Sequence, residues 1–345
     1  MAVPPSKEDF MSRWFQLGFA LLACVLLQGC LFVQNPLGLP PPDFQEVVVR
    51  GGSDADKILM LDIDGVITSG SGEGNPLFGT EQSTVNQVSE KLAKARRDHS
   101  IKAVILRVDS PGGGVTASDI IYERLRKFKE DTKLPIFVSM LDLAASGGYY
   151  VSMAGDEIYV HPTTITGSIG VIAMFPQFQD LGKKIGVYVE VLKSGENKDL
   201  TGGFRNMTDG QRAILQQMID EMYARFVTVV HAGRPKLEEE KIRELADGRI
   251  YTAQQAVDNG LVDGIKYTDE VVDIARERIG NAKARVVMYR KTSTQKFDSV
   301  YAKMPNPAPK ELTPASPTAN VSVLNVDANA LFPQGRPVFN YLWVP

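Results

Sequence analysis

Cysteine is almost absent from this chain: Cys24 and Cys30 are its only two, both within the first thirty residues. A disulfide framework or a cysteine-bound zinc centre is therefore excluded from everything downstream. Histidine is nearly as scarce, with His99, His161 and His231 as the full set. None of them has a spaced partner, so they read as surface or packing residues, and a hydrolase built on this sequence must draw its base from another residue type. Basic blocks are missing too: no run of Lys and Arg exceeds three residues, and the formal net charge is −3. Nucleic acid is not an expected partner, because neutralising phosphates needs a basic face. No repeat of solenoid type is visible. What remains is an ordinary globular composition, 43% hydrophobic and 23% charged over 345 residues, enough for one large domain or two small ones.

One long apolar run stands apart from the rest. Residues 14–33, WFQLGFALLACVLLQGCLFV, carry no charge and follow Arg13. Two readings fit. In the first, Gly18–Leu27 is the apolar core of an export signal and Leu27-Gln28-Gly29-Cys30 a lipobox, with Cys30 the lipidated first residue of the mature chain. Gln28 departs from the small or apolar residue usual at that place. In the second, the run is an uncleaved anchor, since about 20 apolar residues span a bilayer. Both place the body outside the cytoplasm, on the extracytoplasmic or periplasmic side and tethered to a membrane. The chain then divides into residues 1–30 (signal, lipobox or anchor), 31–54 (a linker stiffened by Pro36, Pro40, Pro41 and Pro42), 55–290 (the body) and 291–345 (a proline-rich tail ending in apolar residues). The last stretches, VSVLNV and PVFNYLWVP, are apolar enough to dock on the chain itself or on a neighbour.

Within the body, strand and helix patterns alternate. Strands are expected at 57–67, 103–108, 136–140, 170–175 and 187–192. Helices are expected through Val85–Ala95, Ile120–Phe128, from Ser146 onward, and over 178–184, 208–232, 236–246 and 252–279. This alternation predicts an α/β fold with parallel strand pairing.

Four short constellations carry the chemistry. Ala144-Ala145-Ser146-Gly147-Gly148 sets a serine between tiny residues, after a strand and at a helix start, where backbone amides favour developing negative charge. The same residues also suit a plain N-cap. Asp109-Ser110-Pro111-Gly112-Gly113-Gly114 follows a buried strand, and its glycines let backbone N–H groups approach a ligand or simply make a tight turn. It lacks the Gly-Lys-Ser/Thr of a phosphate loop and the GxGxxG of a dinucleotide site. Lys193-Ser194-Gly195-Glu196-Asn197-Lys198-Asp199 offers two lysines at the end of an expected strand. A neutral lysine can replace histidine as base, but bringing its pKa from about 10.4 to about 7 takes roughly 4–5 kcal/mol of destabilisation of the cation. Thr166-Gly167-Ser168-Ile169-Gly170 adds a serine able to hold a lysine amine by a hydrogen bond, or to make a turn.

Taken in order, DSPGGGV, AASGGYYVSMAGDEIYVHPTTITGSIGV, LKSGENKDL and FRNMT resemble the bacterial signal peptide peptidase A family. GRIYTAQQAVDNGLVDGI (248–265) is similar to the same family and to its Clp-protease and crotonase relatives. The resemblance covers about residues 55–290. It implies a ClpP/crotonase-like fold of repeated strand–helix units with mixed and parallel sheets. It also implies a serine–lysine endopeptidase that degrades signal peptides left in the membrane and other unfolded apolar peptides, with no cofactor and no metal. Residue by residue, Ser146 matches the nucleophile, Lys198 the general base, Gly113 the oxyanion-hole glycine and Ser168 the lysine-orienting serine. The Gly147 amide is the second oxyanion donor by analogy with Clp protease, and Lys193 is the rival base. Relatives of this length form homo-oligomeric rings, often octamers, with active sites between subunits, so Ser146 and Lys198 are expected to meet at or across an interface.

Three other readings compete. Asp62-Ile63-Asp64-Gly65-Val66 mimics the nucleophile motif of a haloacid-dehalogenase-like phosphatase, without the later lysine and acidic pair that chemistry needs. A crotonase-type acyl-CoA enzyme shares the fold, but an exported body is separated from cytoplasmic CoA. The third is a catalytically silent membrane scaffold of the same fold, against which the presence of both Ser146 and Lys198 argues.

Overall fold

A computed structural model describes residues 44–70, 83–290 and 340–342 of the protein. The apolar amino-terminal segment with Cys30, and most of the proline-rich tail, lie outside the described residues. In chain order the elements are β1 (Gln45–Arg50), β2 (Lys57–Asp64), α1 (Thr84–Arg97), β3 (Ile101–Ser110), β4 (Gly112–Gly114), α2 (Val115–Thr132), β5 (Ile136–Ala145) and α3 (Gly147–Ser152). They continue with β6 (Glu157–Val160), β7 (Ile165–Gly167), α4 (Gln179–Ile185), α5 (Asp209–Gly233), α6 (Glu239–Leu245), β8 (Ile250–Thr252) and α7 (Ala253–Asp258). The last are β9 (Gly264–Ile265), α8 (Thr268–Arg278), β10 (Arg285–Arg290) and β11 (Asn340–Leu342).

The main sheet runs β1-β10-β2-β3-β5-β6-β9, with β7 added on β5 and β8 on β7. Its β10–β2, β2–β3, β3–β5, β5–β6, β5–β7 and β6–β9 pairs are parallel, while β1–β10 and β7–β8 are antiparallel. Side chains alternate between the faces of a strand, so a strand buried on both sides must be apolar throughout. Leu59, Leu61, Ile63, Val104, Leu106 and Val138 point to one core, which also holds Val88 and Leu92 of α1 and Ile121, Leu125 and Phe128 of α2. The intervening Ile58, Met60, Ala103, Ile105 and Phe137 point to the other, closed by Val271, Val272 and Ala275 of α8. Helix starts are fixed by local chemistry. Ser83 Oγ accepts from Asn86 N at α1, and reciprocal capping boxes, Thr208 with Gln211 and Thr252 with Gln255, open α5 and α7.

Three features depart from the sequence-based expectation. Gln45–Arg50, within the expected linker, forms an edge strand antiparallel to β10. The triple glycine is a short strand paired with the carboxyl-terminal β11, not a free turn. Residues 170–175 and 187–192 form no strand. Their alternation is strand-like, but β-propensity expresses packing against a neighbouring strand, and of these residues only Ile172 makes a single isolated bridge. Val187, Tyr188, Val189, Val191 and Leu192 are exposed instead, Tyr188 to 81% and Leu192 to 91%.

Candidate active site

The parallel β5–β7 pair sets up the site. Its last paired residues are Ala145 and Gly167, and the chain turns one residue beyond each. Both turning residues are serines in the left-handed region, Ser146 at φ 52° and Ser168 at φ 51°. Such a conformation is costly for a non-glycine residue and persists only where the surroundings impose it. Here Ser146 N donates to Gly167 O at 2.7 Å and Ser168 N to Arg249 O at 2.8 Å, so two serines are presented side by side. Ser146 is the N-cap residue of α3 but its side chain caps nothing. It is 1% exposed, and its hydroxyl has no hydrogen-bond partner among the described residues. The plain N-cap alternative therefore fails on geometry.

Facing α3 is β4. Ser110 Oγ, buried, donates to Gly65 O at 2.6 Å and accepts from Gly112 N at 3.0 Å, folding the chain back after β3. Gly114 N donates to Ile67 O at 3.0 Å, which holds β4 against residues 65–67. The glycines are needed for close approach. A Cβ on Gly112, whose φ is +101°, would lie 2.6 Å from Gly147 N, and one on Gly147 would lie 3.1 Å from Gly113 N. Gly112 and Gly113 are thus brought against Gly147, the residue that follows the buried Ser146.

The other edge of β4 is covered. Asn340, Tyr341 and Leu342 pair antiparallel with Gly114, Gly113 and Gly112, a contact the sequence reading left open between self and neighbour. The Tyr341 ring stacks on Tyr150 (centroids 4.9 Å, 24°), meets Phe226 at 4.6 Å, and its hydroxyl donates to Met222 O at 2.9 Å. Tyr150 in turn donates to Asp119, which Arg225 pairs at 2.9 Å. Burial, and then the hydrogen bond to Asp119, push the Tyr150 hydroxyl far up, so it stays a donor.

Lys198 is elsewhere. It stands exposed in the arm of residues 170–207, its backbone N–H donating to Gly195 O at 3.1 Å, and among the described residues nothing bonds its ammonium to Ser146 or Ser168. Lys193 is committed: its ammonium donates to Asp199 Oδ1 and to Glu196 O, both at 2.8 Å. Arg205 takes the rest of the Asp199 carboxylate through Nε and Nη2, each at 2.6 Å. The Arg205 and then the Lys193 hydrogen bonds hold the Asp199 carboxyl well below the usual carboxylate range. Beside Ser168 an open cleft of about 450 Å³ is lined by Gly170, Val171, Asp220, Tyr223 and Asp247.

The other sequence candidates sort plainly. Asp62, the first aspartate of the phosphatase-like motif, gives both oxygens to Arg107 Nε and Nη2 at 2.9 Å in a nearly buried pair, so it is not a free nucleophile. His161 bonds Thr163 Oγ1 at 2.9 Å and His231 the Leu237 carbonyl at 3.0 Å, on the surface. Cys30 lies outside the described residues. The sequence reading assigned no role to Tyr341, Tyr150 or Asp199. The last had a signal, an aspartate between two cations six residues to either side.

Known proteins share the sequence that builds this frame. The model of peptidase family S49 matches residues 128–281, and that of Clp protease matches residues 78–165. A protein named as a signal peptide peptidase SppA in Enterococcus faecium is 36% identical over 73% of this chain and 72% of its own length. Protease 4 of Haemophilus influenzae is 36% identical over 67% of this chain, and the chloroplastic serine protease SPPA of Arabidopsis thaliana 30% over 78%. The chain spans only 36% and 40% of those two longer relatives. Among solved structures, a ClpP1 mutant from Listeria monocytogenes aligns with 60% of this chain and 90% of its own, with a TM-score of 0.39 and 17% identity. The class is that of a serine protease with a Clp-type α/β fold. This chain belongs to peptidase family S49.

Proposed function

We propose that this chain is a membrane-tethered serine endopeptidase that degrades residual signal peptides and other apolar peptides, with Ser146 as nucleophile and Lys198 of an adjoining protomer as general base. Ser146 carries the reading: a buried serine held at positive φ, its hydroxyl unengaged among the described residues, against the amides of Gly113 and Gly147. The exposed arm supports the second half. Phe178, Leu181, Ile185, Tyr188, Leu192 and Phe204 leave apolar surface uncovered on the segment that bears Lys198, and a surface of that kind belongs at an interface. Docked beside Ser168 of the next copy in a ring, the Lys198 amine loses water and with it the stabilisation of its charged form. The membrane tether rests on the apolar run at 14–33 and on Cys30.

In the reaction, Lys198 Nζ takes the proton of Ser146 Oγ as that oxygen attacks a peptide carbonyl. The Gly113 and Gly147 N–H groups hold the oxyanion, and the lysine returns its proton to the departing amine. Water, deprotonated by the same lysine, then attacks the acyl-enzyme and frees Ser146. A fluorophosphonate probe applied to the detergent-solubilised oligomer should label Ser146, located by peptide mass. Labelling of any other serine, or equal labelling of Lys198→Ala, would remove the assignment, and no labelling at all would favour a silent scaffold.

The strand partner of β4 gives a further expectation. A peptide substrate binding as an extended strand needs the edge that Tyr341 covers, and burying such a ring is worth about 2 kcal/mol. Deleting residues 336–345 should raise kcat/KM for a short peptide by up to roughly thirtyfold, because the competent fraction rises. An unchanged kcat/KM would mean that substrate uses another edge.

A further inference from the structure

Three cations and two carboxylates share the loop that bears the proposed base, and their pairing is not symmetrical. Lys193 and Arg205 both close on Asp199, whose side chain is only 12% exposed although the arm around it is open. Lys193 also donates to Glu196 O at 2.8 Å, and the same carbonyl receives Gln211 Nε2 at 3.3 Å. Gln211 is buried and belongs to the box that caps α5. The backbone adds Lys198 N to Gly195 O (3.1 Å), Leu200 N to Asn197 O (3.3 Å) and Gly202 N to Asp199 O (3.0 Å). A continuous set of bonds therefore runs from the rigid start of α5, through Glu196 O and Lys193, to Asp199 and Arg205. Lys198 sits inside this ring of contacts and takes part only through its backbone. Its ammonium, next in sequence to a carboxylate, has no bond to it.

We infer that Asp199 is a positioning residue for the peptidase reaction: clamped by Lys193 and Arg205, it fixes the loop that presents Lys198 and is itself kept from pairing with that amine. The inference rests on the reading of Lys198 as base. Two effects follow from one arrangement. Fixing the loop matters because a base displaced by about 1 Å costs on the order of 10²-fold in rate. Occupying the carboxylate matters because a free Asp199 beside Lys198 would hold the ammonium and oppose its deprotonation. The charged groups that share the loop with Lys198 are Lys193, Glu196, Asp199 and Arg205. Those lining the cleft beside Ser168, where the amine would dock, are Asp220 and Asp247, the latter paired with Arg249.

The test is the pH–rate profile of the assembled, full-length protein on a quenched apolar peptide. Asp199→Asn should lower kcat by about 10- to 100-fold with KM changed little, and Asp199→Glu should recover part of the loss. Removing the negative charge eases loss of the proton from the neighbouring amine, so the acid limb of Asp199→Asn should move to lower pH by about half a unit to one unit. Arg205→Gln releases Asp199 toward Lys198, and its acid limb should move the opposite way. A merely structural role lowers active protein without moving either limb. Wild-type kcat in Asp199→Asn, or limbs that stay put or move together, overturns the inference. If Asp199→Asn does not assemble, the direction of the Arg205→Gln limb decides alone. Turnover surviving in Lys198→Ala would instead overturn the base assignment, a separate result read in the same assay.

Discussion

Ser146→Ala and Lys198→Ala oligomers, each inactive by about 10⁴-fold, are expected to regain about a quarter of wild-type turnover when dissociated, mixed one to one and reassembled. The single losses follow from the way nucleophile and base act as one unit, so that removing either leaves only binding and the oxyanion amides. Recovery follows from the placement of Lys198 on an exposed arm with no bond to Ser146 or Ser168 within its own protomer, among the described residues. In a head-to-tail ring each site takes its serine from one copy and its lysine from the next. Random mixing then places an intact serine beside an intact lysine at one interface in four. If both groups came from the same copy, every site would carry one defect and the mixture would stay dead. Steady-state rates on a quenched apolar peptide, with oligomer mass checked by light scattering, decide between the two.

Much of the frame was legible in the sequence because its signals are local. Strands β2, β3 and β5 are apolar on both faces, as parallel strands between two layers must be, and their helices repeat at helical spacing. The Ser146, Gly113, Gly147 and Ser168 motifs were legible through the family resemblance, whereas the short strands β4 and β7 that set them side by side were not among the expected strands. Three things were not legible, each for a physical reason. Residues 187–192 have the composition of a strand, but a strand exists only with a partner, and one protomer supplies none among the described residues. The pairing of Tyr341 with Gly113 joins distant parts of the chain through backbone bonds that carry no sequence signature. That Asp199 pairs with Lys193 and Arg205 and not with the adjacent Lys198 is a matter of loop geometry that spacing alone leaves open.

Gly113→Ala is expected to lower kcat by about 10²- to 10³-fold while the oligomer still forms. No positive φ is involved at this position, so the effect is one of space. An added Cβ would stand 2.1 Å from Ile67 O and 2.6 Å from Ile67 N, both backbone atoms that no side-chain rotation can move. The strand must shift away from Ile67, taking the Gly113 N–H off the point where the oxyanion forms. That amide does little for the ground-state carbonyl, so the loss belongs in kcat with KM nearly unchanged. Gly210→Ala is the control, since a Cβ there meets nothing within 4 Å and it lies in the first turn of α5. The fluorophosphonate reaction separates this defect from loss of the nucleophile. Ser146 should still be labelled in Gly113→Ala, more slowly, because the phosphonyl oxygen leans on the same amide. Wild-type kcat in Gly113→Ala, with the variant assembled, would take Gly113 out of the oxyanion site.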